Sequence, residues 1–307
     1  MGFALSIVVS IAIFAILAVS FDLVLGYAGL FSVAHAAFFA IGAYTTALIA
    51  LHTGAPILLA AAGAVLACAI SSALLAVLVI RVSQDYLVIA SFGFLTLVLA
   101  ALANLPDLTG GTLGIGGIPP PSLFGWTVSG LLSYAIVFSL IAAVVVAVTW
   151  WLAHSPYGRA LRAIRDNVVG AEALGKNPTF FRVTAFVIAG ALAGIAGAMY
   201  ATYISYISPD AFSNDVNILI FAMVVIGGAG TVVGPLVGAI LLVSLPAVLS
   251  LLPLAPTLVG PVGQIIYGAL LVAFAMSNAD GLLGIFHSSD RWLRARFKRT
   301  LTELERQ

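Results

Sequence analysis

A few polar side chains stand inside long apolar runs. Each is a candidate for chemistry, because hydrocarbon offers no partner to an isolated polar group. Asp22 falls near the end of the first run and reads as a carboxylate snorkelling to the interface. His35 follows a stretch of small residues that interrupts the pattern. It reads either as a donor to carbonyls freed by a broken helix or as part of a polar path through the membrane. Ser32, Tyr44, Thr96 and Asn104 are further candidates for lining such a path, although Ser and Thr also bond the backbone of their own helix. Nothing converges as a reaction centre. His35, His52, His154 and His287 show no metal-ligand spacing with Cys or carboxylates. No nucleophile elbow or pair of intramembrane carboxylates is present, so catalytic residues and metal ligands are both read as none, against a membrane-embedded enzyme. The scarcity of ionisable groups in the apolar runs also argues against a proton-driven carrier. Gly170-Ala171-Glu172-Ala173-Leu174-Gly175-Lys176-Asn177 comes close to a phosphate-binding loop. It ends in Asn where a hydroxyl would hold Mg²⁺, no strand precedes it, and Ala-Glu-Ala-Leu forms helix, so the chain is read as binding no nucleotide or other cofactor.

The elements that position these residues follow from composition. Of 307 residues, 63% are hydrophobic and only 7% charged, against about 25% charged in a soluble domain. So few charges cannot cover a wetted surface, and most of the exterior must face lipid. A net charge of +1 gives no case for nucleic acid. The single cysteine, Cys68, cannot form an internal disulfide. Candidate spans are 3–25, 37–51, 57–80, 87–105, 132–153, 183–203, 216–229, 235–252 and 262–278, since a crossing helix needs roughly 20 apolar residues. The first run reads as a spanning helix rather than a signal peptide, having no basic residue before it and no clean cleavage site. The expected fold is an all-α polytopic membrane protein of about 8–10 transmembrane helices, some broken or re-entrant. The breaks are expected at Gly26–Ala36 and at Gly227, Gly228, Gly230 and Pro235, where irregular backbone must be buried or line a cavity. Gly227, Gly228 and Gly230 therefore join the candidate path.

Orientation is read from the cations. Arg159, Arg162, Arg165, Lys176 and Arg182 lie in the loop 154–182; Arg291, Arg294, Arg296, Lys298, Arg299 and Arg306 lie in the tail; Arg81 completes the 12. The spans alternate so that all three regions share one side, which the positive-inside rule makes cytoplasmic. The opposite loops, 106–131, 204–215 and 253–261, hold no Lys or Arg. The organisation expected is a transmembrane domain over 1–278 and a basic cytoplasmic tail over 279–307, with the N-terminus outside. The Gly/Pro-rich stretch Thr109–Pro121 reads as a structured external cap or a flexible gate. Gly190, Ala193, Gly194 and Gly197 let helices approach closely and read as packing. In the loop, Leu161, Ile164, Val168 and Ala171 fall on one face of a helix, with Arg159, Arg162, Arg165, Asp166 and Glu172 on the others. Such a helix rests on lipid headgroups, docks on a partner, or simply stands in solvent.

The stretches Gly158-Arg159-Ala160-Leu161-Arg162-Ala163-Ile164-Arg165-Asp166 and Ala171-Glu172-Ala173-Leu174-Gly175 resemble the cytoplasmic loop of the branched-chain amino acid permeases of ATP-binding-cassette importers, in their LivM-type subunit. Gly26-Tyr27-Ala28-Gly29-Leu30-Phe31-Ser32 with His35 resembles the family's early broken helix. Thr109-Gly110-Gly111 with Gly114-Ile115 and Ile118-Pro119 is similar to its external loop, and Gly227-Gly228-Ala229-Gly230-Thr231 with Gly234-Pro235 to its late glycine motif. The resemblance covers most of the chain and departs at Asn278–Gly284, where the family has Arg-Pro-x-Gly-Leu-x-Gly. It implies the importer permease fold in a bacterial inner membrane. It also implies that Gly158, Arg159, Arg162, Ala163, Ile164, Arg165, Asp166, Glu172 and Gly175 form a coupling element received by an ATPase. The partners it implies are two ATPase subunits carrying ATP and Mg²⁺, a second homologous permease, a periplasmic solute-binding protein and membrane lipid. The solute expected is leucine, isoleucine or valine; urea, amides and aromatic acids are alternatives in related systems. A self-contained secondary carrier or channel is the alternative of a different class.

Overall fold

In a computed structural model, residues 2–79, 84–123, 126–128, 130–250 and 256–277 are described. Arg81, the tail 279–307 with its basic residues, and the departure at 278–284 lie outside the described residues. The chain runs α1 (Gly2–Asp22), a π-turn (Leu23–Tyr27), α2 (His35–Thr53), α3 (Ile57–Val79), α4 (Gln84–Asn104), α5 (Pro106–Thr109) and a 3₁₀ turn (Gly111–Leu113). It continues through β1 (Ile115–Gly116), β2 (Ser122–Leu123), β3 (Trp126–Thr127), α6 (Leu131–His154), α7 (Pro156–Asp166), α8 (Val168–Ala173) and α9 (Pro178–Ile204). After β4 (Tyr206–Ile207) and a 3₁₀ turn (Pro209–Phe212) come α10 (Asn214–Gly227), α11 (Val233–Leu249) and α12 (Pro256–Ser277). Among the described residues, seven helices are long and apolar enough to cross a membrane, and α11 and the Gly260–Ala273 part of α12 are shorter apolar helices. The fold is all-α and polytopic, as the apolar runs predict.

The central layer is α9 with α2 and α3. Close approach there is a glycine effect. A Cβ on Gly194 would stand 2.9 Å from the Cys68 Sγ of α3, and one on Gly42 would stand 2.7 Å from the Gly194 Cα. With no hydrophobic effect between helices in lipid, such backbone-to-backbone packing is the main attraction. The packing role predicted for Gly190, Gly194 and Gly197 is where the structure puts them. Outward faces of α3, α4 and α6 carry bare Leu, Ile, Val, Phe and Trp, among them Ile70, Leu78, Phe92, Leu140 and Trp151. These are side chains suited to lipid or to a partner in lipid.

One end of the bundle gathers the N-termini of α1 and α6, with Gly2 close to Leu131, so these helices run parallel. The same end holds the Gly/Pro-rich stretch. Its β1 pairs antiparallel with β4 at the end of α9, Ile115 opposite Ile207, and the Tyr206 hydroxyl donates to the Leu113 carbonyl. Of the two readings offered for this stretch, the structure takes the tied-down cap.

Candidate functional site

At the opposite end the loop 154–182 divides into more pieces than its periodicity suggests. Ser155 caps α7, its Oγ accepting the N–H groups of Tyr157 and Gly158, and Pro156 follows at the first helical position. Asn167 is extended and ends α7; its Oδ1 accepts the Gly170 N–H at 2.9 Å to start α8. Asn177 caps α9 in the same way, and Pro178 draws α9 five residues nearer the loop than the apolar run alone implies. The single helix expected through Leu161, Ile164, Val168 and Ala171 is thus two helices hinged at Asn167, and Arg182 lies inside α9 rather than in the loop. Leu161, Ile164 and Ala171 are buried all the same. The stretch Gly170–Asn177 contains the end of α8 and not a phosphate loop.

Arg159 and Arg162, though not buried, bond the end of α6. Arg159 Nη1 donates to the His154 carbonyl at 3.0 Å and Arg162 Nη2 to the Ala153 carbonyl at 3.4 Å, both in the last turn of α6. Arg162 also lies over the Tyr27 ring, 5.6 Å from its centroid. These cations close helix C-termini, where carbonyls lack intrahelical partners and the dipole is negative. Gly158 is buried against Ala153, so it seats α7 on α6 rather than presenting to a partner. The exposed residues of α7, α8 and the turn after α8 include Arg159, Ala163, Arg165, Asp166, Val169, Glu172, Leu174 and Gly175. Val169 and Leu174 are 76% and 80% exposed, apolar side chains beyond the spanning helices. Tyr157, also in α7, shares a 2.7 Å hydrogen bond with Thr184 Oγ1, and burial raises its phenol above the ordinary value.

At the break after α1, backbone groups freed from the helix find partners on distant helices. Val33 N–H donates to Ser91 Oγ of α4 at 2.9 Å. The Asn217 amide of α10 serves both sides of the gap: Nδ2 donates to the Val33 carbonyl at 2.6 Å and Oδ1 accepts the Ala36 N–H at 2.9 Å. Backbone freed inside a membrane must be satisfied by protein, and here two side chains from distant helices do so. The partner of His35 is a side chain rather than a freed carbonyl. The histidine is buried, its Nε2 pairs with Ser20 Oγ at 2.8 Å, and its ring packs on Phe21 and Phe38.

Asp22 does not snorkel. It is 1% exposed, and its Oδ1 accepts the Gly230 N–H at 2.7 Å in the turn between α10 and α11. Beside it, Arg165 Nη1 donates to the Gly26 carbonyl at 2.5 Å. Glycine is required on both sides: a Cβ on Gly26 would run into Asp22 and Gly230, and one on Gly230, at φ +79°, would stand 3.1 Å from Arg165 Nη1. The ends of α1, α7 and the α10–α11 hairpin thus meet at one small knot of Asp22, Gly26, Arg165 and Gly230.

Two cavities adjoin this region. One, of about 370 Å³, is lined by Phe31, Ser32, Val33, Val88, Ile89, Phe92, Asn214, Asn217, Ile218 and Phe221 among others, with no charged side chain. Ile89 and Phe92 are half or more exposed, so it opens on the face between α4 and α10. The other, of about 610 Å³, lies at the loop end and is lined by Gly26, Arg162, Arg165, Phe221, Val225, Ala229, Gly230 and Thr231. Of the candidates for a path, Ser32 lines the first and Gly230 the second. Thr96 and Asn104 bond carbonyls of their own helix on the exposed face of α4. Tyr44 is buried beside Phe212, and Gly227 and Gly228 are buried where the hairpin closes on Gly234. These five, with His35, line neither cavity. Asn214, Asn217 and Phe221 escape a reading of the sequence alone; their signal is polar and aromatic residues on one face of α10.

Comparison with known proteins places this geometry in context. A family model described as the permease component of the branched-chain amino acid transport system matches residues 3–275. The chain is 33% identical to the high-affinity branched-chain amino acid transport system permease protein LivM of Salmonella typhimurium, and 34% identical to that of Escherichia coli. Each match covers 75% of this chain and 60% of the relative, so the chain spans less than two thirds of those proteins' length. It is 32% identical to the autoinducer 2 import system permease protein LsrC of Yersinia pseudotuberculosis, over 53% of this chain and 52% of the relative. No solved structure matches.

Proposed function

The chain belongs to the branched-chain amino acid transport system permease family, and from that premise we propose that it forms one membrane-spanning half of an ATP-binding-cassette importer in a bacterial inner membrane. ATP and Mg²⁺ are held by two separate ATPase subunits, a second homologous permease faces this one, and a periplasmic protein delivers the solute. The observation that carries the reading is a continuous set of contacts. It runs from the outward face of α7 and α8, through Arg165 to Gly26 and from Asp22 to Gly230, into α10, whose side chains border both cavities. ATPase closure pushes on Ala163, Val169, Glu172 and Leu174, and the push reaches the α10–α11 hairpin through the knot. The solute passes along the α4–α10 face, and the helices switch its access from outside to inside.

The uncharged lining of the first cavity suits a small solute without net charge and with an apolar body. Leucine, isoleucine and valine fit that description and agree with the names of the LivM relatives. The LsrC relative, named for import of autoinducer 2, favours a second reading in which the same architecture carries a different solute.

The test is co-purification and uptake. The wild-type chain is expected to hold two ATPase chains and a sister permease, and to support ATP-dependent uptake of radiolabelled leucine. Val169→Asp with Leu174→Asp is expected to lower both ATPase retention and uptake by about tenfold or more, as loss of two central contacts does. Uptake that stays ATP-dependent in that variant would remove the coupling role from α7 and α8. Uptake without any ATPase would favour a self-contained carrier.

A further inference from the structure

Among the described residues, Phe221 is the one that lines both cavities. It stands midway along a face of α10 made by Asn214, Asn217, Ile218, Phe221 and Val225, spaced as one side of a helix. In the first, upper cavity it is joined by Ser32, Asn214 and Asn217; in the second, lower cavity at the loop end, by Val225, Arg162, Arg165 and Gly230. Its ring meets Phe31 edge to face, the centroids 5.0 Å apart. Phe31 comes from the irregular segment between α1 and α2, so the aromatic pair bridges two elements that the knot at Gly26 and Gly230 also joins.

We propose that Phe221, braced by Phe31, is the inner gate of the solute path, separating a mid-membrane transit cavity from the vestibule beside the coupling loop. The inference rests on the reading of the chain as a transport permease. The physical reason is that an aromatic constriction between two cavities excludes water and ions without any charge of its own. Movement of α7 reaches it through a short lever. Arg165 holds Gly26, five residues before Phe31, while Asp22 holds Gly230, nine residues after Phe221. Displacing those two ends relative to each other parts the rings. A small solute then leaves the upper cavity for the side where the vestibule's polar lining and its arginines begin.

The experiment reads access directly and does not need transport. Cys68, the only cysteine, is first replaced by Ala. Ser32→Cys then places a thiol above the gate and, in a separate variant, Val225→Cys places one below it. Membranes carrying the complete transporter are exposed, from the α7–α8 side, to a charged, membrane-impermeant thiol reagent. With Phe221 present, Val225→Cys is expected to react readily and Ser32→Cys slowly. Adding Phe221→Ala should speed Ser32→Cys by about tenfold or more and leave Val225→Cys unchanged, and Phe221→Leu should restore most of the block. Equal labelling of Ser32→Cys with Phe and with Ala at position 221 would overturn the gate. The unchanged Val225→Cys rate reports that the Ala variant is folded. ATP-driven leucine uptake by the wild type tests the transport reading separately, so the two can fail independently.

Discussion

Asn217 commits its whole amide to one task, closing the gap between the first two spans from across the bundle. Replacing it by Leu keeps the volume and strips away both bonds, leaving the Val33 carbonyl and the Ala36 N–H without their partner. Each orphaned group costs about 1–3 kcal/mol, so Asn217→Leu is expected to lower the unfolding temperature in detergent by several degrees. A parallel loss of the compact α1–α2 break should show as faster amide exchange at residues 33–36. An unchanged melting curve would show that water or lipid headgroups satisfy those groups. Asp22 and Asn217 illustrate why a sequence reading stops short at this scale. Its rule for a polar residue in an apolar run is sound, but the partners lie 208 and 181 positions away, and separation along the chain says nothing about contact across it. A place near a helix end makes Asp22 resemble a snorkelling carboxylate; the glycine turn that occupies its oxygen comes from late in the chain.

Helices here are specified by two kinds of signal that differ in legibility. Apolar runs announce the spans, and each expected one has a helix that overlaps it. The Gly190–Gly197 series announces a close-packed face, and the packing of α9 on α2 and α3 is where that face goes. Capping is the quieter signal: Ser155-Pro156, Asn167 and Asn177-Pro178 cut the loop into α7, α8 and the start of α9, yet a periodicity search alone runs straight across Asn167. Two glycines separate packing from propensity. Gly194→Leu must force α9 away from Cys68 and Gly42, and overpacking of that kind costs about 1–3 kcal/mol, so the yield of folded protein should fall sharply. Gly93, in α4, has nothing within 4 Å of the point where an added methyl group would stand, so Gly93→Ala should fold as well as the wild type or slightly better. Size-exclusion profiles of the two variants in detergent provide the check; equal profiles would mean that α9 does not depend on close approach.

At the scale of the whole molecule, the two ends differ in construction. One is tied by β1–β4 and capped by the Gly/Pro stretch, while the other gathers the knot, the arginines and the two outward helices α7 and α8. Which end faces the cytoplasm is a matter for labelling. In the Cys68→Ala background, Asp210→Cys at the tied end is expected to react with an impermeant thiol reagent in intact cells, and Glu172→Cys only after the cells are opened. The reverse pattern would invert the orientation inferred from the cations. Much of this plan is legible in composition, because lipid imposes spans of fixed length and satisfied backbone. The arrangement of spans into the layer of α2, α3 and α9 and the α10–α11 hairpin is not, because helices that are apolar on every side carry little pattern to say which side meets which neighbour. A last consequence follows from where Arg159, Arg162 and Arg165 place their guanidinium groups. During insertion a positive residue acts only as a charge, and lysine would serve as well. In the folded protein the same three side chains donate to carbonyls at the ends of the elements they adjoin; Arg162 also lies over the Tyr27 ring and Arg165 divides its guanidinium between Gly26 and Asp166, and at these two lysine is a poor substitute. Sorting and architecture therefore draw on one set of atoms, and only the second of the two demands explains the choice of arginine.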